Sequence, residues 1–433
     1  MTSLVLAPLA LLLPALQDAG ADFQPLFNGR DLSGWHQVNC APSTFTVRDG
    51  MIVCSGTPSG VLRTDRQYEN FILELDYQHV KAGGNSGLFV WSDPIPARGV
   101  PFTRSIEVQV MDGQETADFT SQGDVFAIHG AHLVPDRPHP KGWERCLPSE
   151  KRVKPAPEWN HYRVLCQNGV LTLEVNGKEV SGGRDITPRK GYICLESEGS
   201  EVHFRNLKLK ELPPATPPLD PRQVADVDEG FVSLFNGVDL TGWKHGAAQD
   251  GHWTAQDYIL DYDGKGDMLW SEAEYGDVQL IADWRWSGEA KDNEVPDILP
   301  NGEQVVDAEG KPRKVKIKEA GDSGIYLRGN DKSQVNIWCW PIGSGEVYGY
   351  RTDKTMSAAV RAGVTPKECA DAPIGEWNRF LITMKGDRLT VVLNGKTVID
   401  RAQLPGVPAR GPIALQHHGW PIQFANLYLK KLD

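Results

Sequence analysis

The sequence predicts an all-β protein made of two tandem β-sandwich or jelly-roll domains. Three observations carry that expectation: a set of motifs written twice, apolar alternation with a period of two, and a composition rich in turn formers. The chain has 433 residues, with 44 Gly, 30 Pro and 13 Trp. That is turn-rich without reaching the bias of a disordered segment. The length suits two or three domains, each large enough to bury its own core. The formal charge of −12, from 45 basic and 57 acidic side chains, argues against a general nucleic-acid binder. Neutralising phosphates needs clustered Lys and Arg.

The repeat divides the chain. LFNGRDLSGW at Leu26–Trp35 returns as LFNGVDLTGW at Leu234–Trp243, and WNHYRVLCQNGVLTLEVNGKEV from Trp159 returns as WNRFLITMKGDRLTVVLNGKTV from Trp377. VHFRNLKLKEL from Val202 is echoed by IQFANLYLKKL from Ile422. Three blocks in the same order mark two copies of one fold, with a period far too long for a solenoid of roughly 20–50 residues. Between them LPPATPPLDP, Leu212–Pro221, has five prolines in ten residues. The domains are placed at 22–212 and 226–433, with 213–225 as a stiff, extended linker expected to hold them apart.

The strands follow from alternation. Ile72 to Tyr77 alternates, as does Val170 to Val175, and Asn176-Gly177 then closes a hairpin into Lys178-Glu179-Val180. Asn394-Gly395 repeats that turn in the second copy. No stretch shows convincing helical periodicity with caps. The second copy carries an insert, roughly Ser287–Ala320, that reads either as a surface hairpin or as a flap at a binding cleft.

At the N-terminus, Leu4–Leu16 is a 13-residue apolar run, too short to span a bilayer, which takes about 20 residues. Followed by Ala19-Gly20-Ala21, it reads as a signal peptide over 1–21, although Met1-Thr2-Ser3 lacks a basic residue. A secreted or periplasmic protein with no membrane span is expected. The seven cysteines include no CxxC pair, so a structural zinc site is not expected. Cys40 with Cys54, and Cys166 with Cys194, are open as disulfides, and buried thiols are the alternative.

Three strands of the first copy carry polar residues. In Gly84–Trp91, alternation puts Asn85, Gly87, Phe89 and Trp91 on one face. In Ile106–Asp112 it puts Glu107, Gln109 and Met111 on one face and Val108 and Val110 in the core. The third is Gly123–Gly130, with Asp124 and His129. A carboxylate, two amides and an indole on adjacent strands would make a groove suited to a sugar, whose C–H faces stack while its hydroxyls need partners. A solvent-facing sheet with ordinary polar residues is the plain alternative.

These residues also resemble a family. LFNGxDLxGW in each copy, NSGLF, EVQVMDG, WNHYRV with a later NG, and GYICLES before VHFRNLKLKEL are similar to the 3-keto-disaccharide hydrolase family. The resemblance covers both copies. It implies a concanavalin A-like jelly roll and cleavage of glycosides already oxidised at C3, by 1,2-elimination, hydration of the product, or net hydrolysis. A C3 ketone acidifies the neighbouring C2–H, so the protein need supply only a base, an acid and oxyanion stabilisation. Glu107 is the candidate base or acid, with Gln109 and His129 beside it as catalytic candidates. Asn85, Trp91, Asp112 and Asp124 are candidates for binding the sugar. Asp112 and Asp124 are also read as turn formers, and His129 as facing the core.

The second copy departs at these positions. Glu107 aligns with Gln334 and Gln109 with Asn336; Arg328 stands at the place of Trp91 and Arg351 at that of His129. An amide cannot accept a proton at neutral pH, so the acid/base role is lost there. Leu415-Gln416-His417-His418-Gly419 lies close to the family's LQDHG, where the first copy reads Leu195-Glu196-Ser197-Glu198-Gly199. Arg328, Asn336, Trp338, Arg351 and His417 are the second copy's candidates for sugar binding. Two readings follow: a catalytic copy with a sugar-binding one, or two copies handling different steps. A pair of lectin-like modules without catalysis is the main alternative, and an adhesion module using the Trp-rich strand 338–340 a further one. The sequence requires no cofactor and has no nucleotide-binding motif. A separate oxidoreductase is therefore expected to make the 3-keto sugar. A divalent metal is open, with no spacing that assigns its ligands.

Overall fold

The computed structural model describes residues 22–432; the signal peptide expected over 1–21 lies outside the described residues. Each copy is a pair of antiparallel sheets. The first has nine and seven strands, the second eight and five plus a separate two-stranded hairpin. Among the described residues, helix is confined to a 3₁₀ turn and the short α-helices Tyr348–Arg351 and Ala358–Gly363. None is long and apolar enough to cross a membrane.

Alternation builds the layers. From the strand Phe71–His79, Leu73, Leu75 and Tyr77 point inward to meet Tyr162 and Val164 of the neighbouring Asn160–Gln167. Leu88, Val90, Val108 and Val110 complete the core from the seven-stranded sheet. The expected hairpins form at Asn176-Gly177 and Asn394-Gly395, with φ of 48° and 79° in the first and 51° and 82° in the second. Both turn residues must occupy positive φ, which Asn and Gly tolerate.

The two copies are packed together, contrary to the spacer expected from the linker. Val38, Val61, Phe89, Tyr192 and Cys194 of the first copy form one buried cluster with Ile281 and Tyr428 of the second. The outer face of the eight-stranded sheet thus packs against the outer face of the seven-stranded one. A first-copy loop locks into it: Gly99 N donates to Asp283 Oδ2 (2.8 Å), Asn426 Nδ2 donates to the carbonyls of Ala97 (3.1 Å) and Val100 (3.0 Å), and Arg379 donates to Pro96 O (3.0 Å). The linker lies along the first copy, with Asn70 Nδ2 donating to Pro213 O (2.7 Å) and Ala215 N donating to Glu69 Oε1 (2.6 Å). Proline content sets the stiffness of a linker; the apolar faces it joins decide whether the domains meet.

The insert is a surface hairpin of Lys291–Pro296 with Lys314–Glu319. Its tip reaches the helical connection of the second copy, where Arg361 donates to Glu303 Oε1 (2.5 Å). Among the described residues all seven cysteines are free, with Cys54, Cys146, Cys166 and Cys194 buried, so neither disulfide pairing is formed.

Candidate functional site: one groove written in two chemistries

In the first copy three strands lie side by side: Ser105–Met111, Asn85–Ser92 and Tyr192–Ser197. Gly87 pairs with Gln109, and Phe89 with Glu107. A Cβ on Gly87 would stand 2.9 Å from Glu107 Oε1 and 2.8 Å from Glu196 Oε2. The two carboxylates therefore converge over a bare strip of backbone, where any larger residue would collide with both. Both are buried, and Glu196 Oε2 has no hydrogen-bond partner.

Burial and mutual repulsion set their protonation. Glu107 is pushed up to about 8, chiefly by burial and then by the charge of Glu198, against the pull of Arg145. Burial, with Glu107 and Glu198 adding to it, raises Glu196 well above the carboxylate range. Glu198 is raised by burial and by Asp257 of the second copy, while its bond from Asn85 opposes the shift. Two such neighbours cannot both ionise near neutrality, so at least one of them is held protonated.

A chain of hydrogen bonds runs beside this pair. Arg145 Nε donates to Asp124 Oδ2 (2.7 Å) and its Nη2 to Gln109 Oε1 (3.1 Å). Gln109 Nε2 donates to Asn85 Oδ1 (3.0 Å), and Asn85 in turn donates to Glu198. Asp124, wholly buried, also accepts from Thr120 N (2.9 Å). It fixes Arg145 rather than facing the groove. Glu107, Gln109 and Asn85 are brought together.

The other first-copy candidates lie elsewhere. Trp91 leaves the alternation at φ 54°, turns into the core beside Phe71, and donates from Nε1 to Glu69 O (2.8 Å). Asp112 ties loops, accepting from Gly83 N (3.0 Å) and Ala156 N (2.9 Å). His129 sits exposed in the turn after Val125–Ile128, at φ 53°, so it neither faces the core nor joins the groove.

In the second copy the same places hold amides. Gln334 pairs opposite Tyr326 and Asn336 opposite Gly324. Gln334 donates to Gln416, and Gln416 Nε2 donates to the Tyr326 hydroxyl (3.0 Å). A cavity of about 350 Å³ opens above them, lined also by Asp322, Trp338, Trp340, Tyr348 and His418. Burial pushes Asp322 up to about 6, against the pull of His418, whose Nδ1 is 3.7 Å away. His418, not His417, faces the cavity; His417 turns inward to the Tyr262 hydroxyl. Arg351 pairs with the buried Glu346, whose backbone bonds Asn336 as Asp124's bonds Gln109. Its counterpart is thus Arg145, not His129. Arg328 is buried, with φ 53° like Trp91. It donates to the carbonyls of Gly276 (3.1 Å), Gly386 (2.7 Å) and Pro408 (3.0 Å), away from the cavity.

Arg145 and Glu196 were missed as site residues. Glu196 had a signal, its alignment with Gln416 in the repeat; Arg145 follows a long loop and had none. Among the described residues no group of three or more His, Cys, Asp or Glu side chains is placed to hold a metal ion.

The 3-keto-alpha-glucoside-1,2-lyase-like domain model matches residues 22–210 and again 230–430. A 3-keto-disaccharide hydrolase of Bacteroides thetaiotaomicron is 21% identical over 237 residues, covering 43% of this chain and 77% of its own length. Among solved structures, a candidate glycosyl hydrolase from Parabacteroides distasonis is 25% identical, with 44% of this chain and 94% of that one covered and a TM-score of 0.35. A carbohydrate-binding module from Bacillus subtilis is 12% identical, over 41% of this chain and 96% of its own, with a TM-score of 0.30. With both halves matched, the chain belongs to the 3-keto-alpha-glucoside-1,2-lyase-like family of carbohydrate-active proteins, in two tandem copies.

Proposed function

We propose that the protein is a secreted or periplasmic enzyme that cleaves glycosides oxidised at C3, and that the first copy does the chemistry. The observation that carries this reading is the Glu107–Glu196 pair converging over Gly87. Its raised protonation range suits proton transfer near neutral pH. The ionised member takes the C2 proton, which the C3 ketone has acidified. The C2–H electrons form the C1=C2 double bond as the C1–O bond breaks, and the protonated member delivers its proton to the leaving oxygen. The products are a 2-hydroxy-3-keto glycal and the freed aglycone, with no net change of redox state. Gln109, fixed by Arg145 and donating to Asn85 and Ser86 O, positions Asn85, whose second amide N–H is directed to a sugar oxygen. The ketone itself is supplied by a separate oxidoreductase. No step is assigned to a metal.

The second copy is read as a sugar-binding partner, because Gln334 and Gln416 cannot shuttle protons. Incubation with 3-keto glucosides tests the proposal. Release of the aglycone that Glu107→Gln or Glu196→Gln abolishes supports it. Sugar binding with no turnover across the panel would favour a lectin-like pair instead.

A further inference from the structure

We infer that the second copy carries its own saccharide site, which holds a neutral pyranose ring and does not cleave it; this rests on the carbohydrate reading above. The cavity of about 350 Å³ falls in the size range of small-molecule sites. Its floor is neutral and already self-paired. Gln334 donates to Gln416 and Gln416 to Tyr326, so no group where the first copy has Glu107 and Glu196 can take up or give a proton.

One group is left unsatisfied. Asn336 is 3% exposed, and its buried Oδ1 has no hydrogen-bond partner. A buried acceptor without a donor is costly, and a ligand hydroxyl is the donor this site lacks. Beside it Trp338 and Trp340 stack with ring centroids 4.1 Å apart and planes within 4°. Trp338 is pinned by its Nε1 donating to Gly343 O (2.7 Å), and Tyr348 stands edge-on to it. Trp340, half-buried on the cavity wall, is therefore a rigid aromatic plate suited to the C–H face of a pyranose. Asp322 and His418 line the same cavity and offer an acceptor and a donor to ring hydroxyls. In the first copy the place of Trp338 is held by Met111, which offers no such plate.

The test titrates the full chain with maltose, cellobiose and trehalose, none of which carries a C3 ketone, by calorimetry and tryptophan fluorescence. Trp340→Ala is expected to weaken binding at least tenfold. Tyr348→Ala, at an exposed position, is expected to weaken it several-fold. If both variants bind as tightly as the parent, or if no sugar of the panel binds while 3-keto glucosides are still cleaved, the inference is overturned and the cleavage reading stands. Binding that Trp340→Ala removes, without turnover of any 3-keto glucoside, supports this site and overturns the cleavage reading alone.

Discussion

The same sandwich, written twice, presents its faces to opposite surroundings. On the outer face of the nine-stranded sheet the first copy carries a charged row, Lys208, Glu74, Arg163 and Glu174, joined by ion pairs. At matching register the second copy carries Tyr428 and Ile281, buried against the first copy, and Leu381, half-buried beside them. Beside these rows Asp76, half-buried, bonds His161 and Asn206 (2.8 and 2.7 Å), while Asp283, fully buried, bonds Arg379 and Asn426 (2.6 and 2.7 Å). The inner cores are alike; it is the outer faces that record where each copy sits. The grooves divide in the same way. Over Gly87 two carboxylates converge, and over Gly324 two amides join each other. One floor stores a proton and the other cannot.

This contrast can be broken experimentally. The largest effect is expected at the groove: Glu107→Gln should lower turnover of a 3-keto glucoside by about 10²–10⁴-fold. Next is the interface. Asp283→Ala strands Arg379 in a buried contact and should cost about 3–5 kcal/mol in chemical denaturation. Asp76→Ala, at the equivalent position, whose His161 and Arg205 partners are solvent-exposed, should cost no more than about 1 kcal/mol. Equal losses would contradict the assignment of the two faces.

Arg328→Met should destabilise by about 1–3 kcal/mol, because three carbonyls lose their donor, while sugar affinity is unchanged. A loss of affinity without a loss of stability would return Arg328 to the binding site. The smallest effect concerns pH. Burial raises both Glu107 and Glu196, so folding favours their protonated forms. That contribution is whole below the ordinary 4.5 of a glutamate and is lost as pH rises through about 8. The double variant Glu107→Gln/Glu196→Gln should therefore gain at least about 1 kcal/mol on the parent at pH 9 relative to pH 5. Parallel melting curves at the two pH values would contradict the raised protonation of the buried pair.

Much of this was legible because period-two alternation and Asn-Gly turns are local signals. They placed Glu107, Gln109 and Asn85 on one face and Val108 and Val110 in the core. The same rule failed at Trp91 and Arg328, where one left-handed residue at the strand end turns the side chain out of register. Sequence could not show that adjacent His417 and His418 face opposite ways, nor that Arg351 answers Arg145 across loops of different length. The docking of the copies was hidden for another reason. Alternation puts Phe89 on the polar face of its strand, and only the partner face with Ile281 and Tyr428 shows that it is covered.

The most direct measurement is turnover of a 3-keto glucoside by full-length protein carrying Glu107→Gln or, separately, Gln334→Glu. Loss of activity in the first, with no second activity created by the second, is the predicted result. Full activity in the Glu107→Gln protein would contradict placing the chemistry in the first copy.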